Sequence, residues 1–131
     1  PRPSRAMAAS LDDLVGRLVG LKTLLVCDSE GAILVRAGDT SAEPKLQRLS
    51  AIFAQTAEHA GKLGLGKNRH ITAFYDDSAV VHASCPPLVL SIMVGADANV
   101  GLILDQLPHL TAALAPLQQH VERLNAQHTR E

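Results

Sequence analysis

Tryptophan is absent from this sequence, and Phe53, Phe74 and Tyr75 are its only aromatic side chains. With 47% of its residues apolar the chain has material for a core, but aliphatic side chains and alanine must fill it. Net charge is scarce as well: twelve Lys and Arg against thirteen Asp and Glu leave −1. Gripping nucleic acid or an anionic membrane needs a clustered basic excess, so neither partner is expected. No apolar run approaches the roughly 20 residues of a membrane-spanning helix, so direct membrane insertion is not expected either. Pro1–Ala6 bears Arg2 and Arg5 with no unbroken apolar segment behind it, which is not the layout of a signal peptide. Met7 offers an alternative start. The two cysteines, Cys27 and Cys85, lie in or beside strand patterns and read as buried reduced thiols rather than a disulfide. At 131 residues the chain reads as one domain over 10–124, with a flexible N-terminal segment over 1–9 and a polar, frayed tail over 125–131.

What the sequence does contain is an ordered series of short apolar runs bounded by turn residues. Ile71–Tyr75, Ala79–Ala83 and Leu88–Val94 are separated by Asp76-Asp77-Ser78 and Pro86-Pro87. Their length and β-branched or aromatic content predict a three-strand meander. Upstream, Leu24–Cys27 and Ala32–Ala37 flank Ser29-Glu30-Gly31 and read as a hairpin. Leu11, Leu14, Val15, Leu18 and Val19 form one helical stripe after a capping-box start at Ser10, with Gly20 as its stop. Pro44 suits the first position of a helix running to Leu63, closed by Gly64. A last helix is expected to begin with Asp97 as cap, and to kink near Leu107 or divide in two, because Pro108 and Pro116 interrupt it. The predicted order is α-β-β-α-β-β-β-α, an α/β fold with five strands.

Several motifs resemble chemistry. Gly61-Lys62-Leu63-Gly64-Leu65-Gly66-Lys67-Asn68 approaches the phosphate-binding loop. Asn68 lacks the metal-binding hydroxyl, however, and the glycines follow a helix where such a loop follows a strand. The stretch reads as a helix stop and connector. His59, His70, His82, His109, His120 and His128 make no H-x-x-x-H pattern, and no cysteine pair has ligand spacing, so no metal is expected. Asp76-Asp77 are ordinary turn formers, and no motif surrounds Cys27, Cys85 or Ser91 as a nucleophile. No cofactor is expected and the chain does not read as an enzyme. A five-stranded open sheet has two edges, and these must be covered, charged or paired. Ile71, Ala73 and Tyr75 point to one face of their strand and Thr72 and Phe74 to the other. As an edge this strand suits addition of a strand from another chain; as an interior strand it is simply core. The pattern alone leaves both open.

Taken together, Lys62-Leu63-Gly64-Leu65-Gly66-Lys67-Asn68, Phe74-Tyr75, Val80-Val81, Pro87-Leu88-Val89, Ala98-Asn99-Val100-Gly101-Leu102-Ile103 and Leu114-Ala115-Pro116-Leu117 resemble the roadblock family, over roughly Leu11–Glu122. The likeness is nearest to the family's MEK-binding scaffold subunits of the Ragulator (late endosomal/lysosomal adaptor) complex. It implies a five-stranded, mostly antiparallel sheet sandwiched between helices, and a heterodimer with a second roadblock-domain subunit. Family pairing uses the third strand and second helix, here Arg69–Tyr75 and Leu46–Leu63. The implied interface residues are Leu49, Phe53, Thr56, Ala57, Ala60, His70, Ile71, Thr72, Ala73, Phe74 and Tyr75. Further implied partners are other Ragulator subunits, Rag GTPases and a MEK-class kinase, in MAP-kinase and mTOR signalling. The implied location is the cytosolic face of late endosomes or lysosomes, through a lipidated partner. An alternative within the family is a homodimeric regulator of a small GTPase's nucleotide cycle.

Overall fold

Leu24, Leu25, Val26 and Cys27 are all fully buried in the first strand, and the strand's place in the sheet explains why. The computed structural model describes residues 13, 16, 20–39, 41–62 and 70–129, with backbone alone for 57–62 and 128–129. Strands β1 (Leu21–Asp28), β2 (Ile33–Gly38), β3 (His70–Phe74), β4 (Ser78–Cys85) and β5 (Leu88–Gly95) form one sheet in the order β2-β1-β5-β4-β3. All four pairings are antiparallel. The meander β3-β4-β5 and the hairpin β1-β2 are local; only the β1–β5 pairing joins them across the intervening chain.

Helix α1 (Glu43–Lys62) crosses one face, over β1, β4 and β5. Its Leu46 joins Leu25, Cys27, Val80 and Met93 in a small core, with Leu49 partly buried against it. Helices α2 (Val100–Ala113) and α3 (Ala115–Thr129) cover the other face. Ile103, Leu107, Leu110, Leu114 and Leu117 there meet Leu24, Val26, Val81, Leu90 and Ile92 in the larger core. Each such aliphatic side chain contributes about 1.5–3 kcal/mol when fully buried. Strand β5 is buried at every position from Leu88 to Val94, as expected of a central strand covered on both sides.

The expected five strands and their order along the chain are present, with boundaries that differ by a few residues. Helix α1 starts at Glu43, one residue before Pro44. The final helix is divided in two, as one of the expected outcomes has it, but it starts later than expected and does not break at Pro108. Its cap is Asn99, not Asp97: Ala98 N donates to Gly95 O at 3.1 Å in the turn after β5, so the first helical turn forms later. Asn99 Oδ1 then accepts from Leu102 N at 3.3 Å. The helix also runs through Pro108 and breaks at Leu114, between two pieces bent by 54°. The break suits Pro116, which falls in the first turn of α3, where its missing N–H costs no hydrogen bond. Helix α3 continues past Asn125 to Thr129, beyond the point where polar composition predicts its end. No single helix among the described residues is long and apolar enough to cross a membrane. The predicted N-terminal stripe Leu11–Val19 and the connector from Leu63 to Arg69 lie outside the described residues. Gly20, the expected stop, adopts φ +87°, and a Cβ there would come within 2.7 Å of Ala98 Cβ.

Candidate interaction surface

The two sheet edges differ in chemistry. On β2, Arg36 is exposed and its Nε lies 3.4 Å from Glu43 Oε1, so a desolvated charge would oppose a strand arriving there. Edge strand β3 carries no Lys, Arg, Asp or Glu. Phe74 is 73% exposed and Tyr75, just beyond the strand, 51%.

The pairing register fixes which backbone groups of β3 look outward. Tyr75 N donates to Ser78 O at 2.7 Å, closing the β3–β4 hairpin. The register from Phe74↔Ala79 to His70↔Ala83 has no bulge. Hydrogen-bonded and non-bonded pairs alternate in an antiparallel ladder, so Tyr75, Ala73 and Ile71 spend their backbone groups on β4. His70, Thr72 and Phe74 therefore direct their N–H and C=O groups away from β4. Their side chains share the sheet face covered by α2 and α3, while Ile71 and Ala73, opposite His82 and Val80, share the face under α1. Within β3 the Thr72 hydroxyl is buried with no hydrogen-bond partner.

On α1, the expected interface residues separate into different environments. Phe53 is 4% exposed and belongs to the interior: its ring stacks on His82 at 5.3 Å between centroids. Leu49 is partly buried against the core. Thr56 is exposed, with its hydroxyl donating to Ile52 O at 3.0 Å. The side chains of Ala57 and Ala60 lie outside the described residues. Ile52, 58% exposed, was not among the expected interface residues. The apolar face expected on this helix, Leu46, Leu49, Ile52, Phe53, Thr56, Ala57 and Ala60, included it at i+3 from Leu49, so the sequence did not separate it from the buried stripe.

Beneath α1, His82 Nδ1 and Ser91 Oγ share a 2.7 Å hydrogen bond across β4 and β5. That is the spacing of a nucleophile and its base, but both residues are buried and Phe53 covers the ring. No substrate has an approach. Burial lowers the His82 pKa to about 4 and holds the ring neutral. Burial also raises the Cys27 and Cys85 thiols above their usual value, which disfavours the reactive thiolate. Among the described residues no group of three His, Cys, Asp or Glu side chains is placed to hold a metal ion.

A five-stranded antiparallel sheet with one long helix on one face and paired helices on the other is the roadblock/LC7 architecture. A roadblock/LC7 domain from Streptomyces avermitilis superposes with a TM-score of 0.70, at 15% identity, over 80% of this chain and 91% of that one. MglB from Myxococcus xanthus superposes at 0.72 and 15% identity, over 88% of this chain and 97% of that one. At such identities these neighbours establish the fold. The chain belongs to the mitogen-activated protein kinase kinase 1 interacting family, whose sequence profile matches residues 6–121. Among curated relatives, Ragulator complex protein LAMTOR3-B of Xenopus laevis is 34% identical over 105 residues, covering 79% of this chain and 85% of the relative.

Proposed function

We propose that this chain is a noncatalytic scaffold subunit that pairs, through β3 and the adjoining surface of α1, with a second roadblock-domain subunit. The observation that carries the reading is the uncharged β3 edge, with outward backbone groups at His70, Thr72 and Phe74 and exposed apolar side chains at Phe74, Tyr75 and Ile52. A partner strand gains main-chain hydrogen bonds along such an edge. Covering the aromatic surface adds about 25 cal/mol for each Å² removed from water.

The Ragulator name borne by the relatives supports membership of a Ragulator-like assembly. In this reading the dimer docks other Ragulator subunits and Rag GTPases in mTOR signalling at late endosomes or lysosomes. Its membrane attachment comes through a lipidated partner. The family description supports a mitogen-activated protein kinase kinase as a further client.

Co-expression with a second roadblock subunit, followed by light scattering, tests the pairing. A one-to-one heterodimer is expected, and Phe74→Asp should reduce its yield because it places a charge in the apolar contact. A monomer that ignores the partner, or a full heterodimer yield with Phe74→Asp, rejects the proposed edge.

A further inference from the structure

The antiparallel register places Asp28 opposite Leu88 and Cys85 opposite Leu88, at the end of the sheet away from Phe74 and Tyr75. There the β1–β2 turn, Pro87 and the second half of α3 surround an open cleft of about 490 Å³. Hydrogen bonds hold its walls. Asp28 Oδ1 accepts from Glu30 N and Ala32 N, both at 2.9 Å. Gln47 Nε2 donates to Gly31 O at 2.7 Å, tying the turn to α1. Across the cleft, Gln118 Nε2 donates to Pro86 O at 2.6 Å, tying α3 to the β4–β5 turn.

The lining combines two chemistries. Pro87, Val121 and Leu124 supply apolar surface, with Val121 partly buried against the core and Leu124 38% exposed. Asp28 and Glu30 supply carboxylates, and no Lys or Arg is among the described lining residues. Glu122 and Arg123, which follow Val121 on α3, carry opposite charges, so the carboxylates of Asp28 and Glu30 set the sign of the lining. The sign of this charge repels phosphate backbones and anionic headgroups. A cleft of this volume matches a few side chains rather than a whole helix.

From this lining we infer that the cleft docks a protein segment carrying an arginine or lysine next to an aliphatic side chain. The cation lies by Asp28 and Glu30, and the aliphatic group lies over Val121 and Leu124. A guanidinium suits the carboxylates because its N–H groups form charge-assisted hydrogen bonds. This surface is separate from the β3 edge, so a segment seated here leaves that edge available.

The test is an amide chemical-shift titration of the full chain with the synthetic peptide acetyl-Ala-Arg-Leu-Ala-Arg-Leu-Ala-amide, and with its counterpart bearing Glu at both Arg positions. Saturable shifts at Glu30, Val121 and Leu124 are expected with the Arg peptide alone, weakening as salt screens the carboxylates. Glu30→Lys and Leu124→Asp should each weaken binding by about tenfold or more, while Phe74→Asp leaves it unchanged. Should Leu124→Asp fail to fold, Glu30→Lys decides, since Glu30 is exposed in a turn. Absence of saturable shifts at about 1 mM peptide overturns the proposal. Equal binding of the Glu peptide, or full affinity in Glu30→Lys, overturns it too. Because Phe74→Asp and the cleft variants are read separately, failure here does not count against the β3 pairing.

Discussion

The imidazole of His82 lies under the ring of Phe53, with 5.3 Å between centroids and 16° between planes. This contact joins β4 to the buried side of α1, and its cost depends on pH. The folded pKa of about 4 lies below the usual 6.5 because burial disfavours the charged ring. Between these values the unfolded chain binds more protons than the folded one, so stability rises with pH across this window. His82 therefore costs nothing above about pH 6.5, and destabilises progressively as pH falls towards 4, by up to about 3 kcal/mol. Urea midpoints measured across this range should fall for the parent chain. In His82→Leu the same window should be flatter; an unchanged slope would place the acid sensitivity elsewhere.

Neighbouring positions on α1 should separate folding from partnering. Phe53 is 4% exposed and Ile52 58%. Phe53→Ala is expected to lower the unfolding free energy by about 3–5 kcal/mol, the usual cost of emptying an aromatic site. Ile52→Ala should leave stability within about 0.5 kcal/mol, and weaken association with a roadblock partner. Chemical denaturation and a binding titration on both variants check this. A stability loss confined to Ile52→Ala would invert the assignment.

Two proline substitutions one residue apart test the phase of β3. The Thr72 N–H faces away from β4, whereas Ala73 lies in a hydrogen-bonded pair with Val80. Proline is tolerated on an edge strand where its nitrogen faces outward. Thr72→Pro should thus keep the fold and weaken heterodimer formation, while Ala73→Pro should lower the melting temperature of the chain itself. Equal melting temperatures for the two variants would mean that the outward groups are misassigned.

Gly38 closes β2 with φ +86°, and a Cβ there would collide with the carbonyl oxygen of Lys22. That oxygen already accepts from Asp39 N at 2.7 Å, and Thr23 Oγ1 donates to Asp39 O at 2.8 Å. Gly38→Ala is expected to destabilise by about 2 kcal/mol or more, through left-handed backbone and lost hydrogen bonds together. The readout is the thermal midpoint, with far-UV circular dichroism as a check that the rest of the chain remains folded.

Asn99→Ala removes the side-chain oxygen that accepts from Leu102 N at 3.3 Å. A loss of about 1 kcal/mol is expected from an exposed cap, whereas Asp97→Ala should change little. Denaturation of both variants would show which residue starts the helix.

The residues themselves determine what is local. Asp76-Asp77 and Pro86-Pro87 interrupt apolar runs of strand length, so the meander is legible without tertiary information. Glu43-Pro44 likewise announces α1. The connector Lys62–Asn68 and the Ala98–Ile103 helix start carry the family likeness that the profile match bears out. Tertiary packing decided the rest. Strand β1 lies beside β5, and this non-local pairing places β3 at an edge. The broad apolar surface of α1 could meet the sheet at more than one rotation; packing against β1, β4 and β5 buried Phe53 and left Ile52 outside. The sequence likewise offered two prolines at which the last helix could break. The buried Leu114 lies at the break, and Pro116 follows in the first turn of α3. Local sequence governs turns and caps because their partners are a few residues away. Which face is buried depends on side chains far along the chain, and only the folded sheet brings those together.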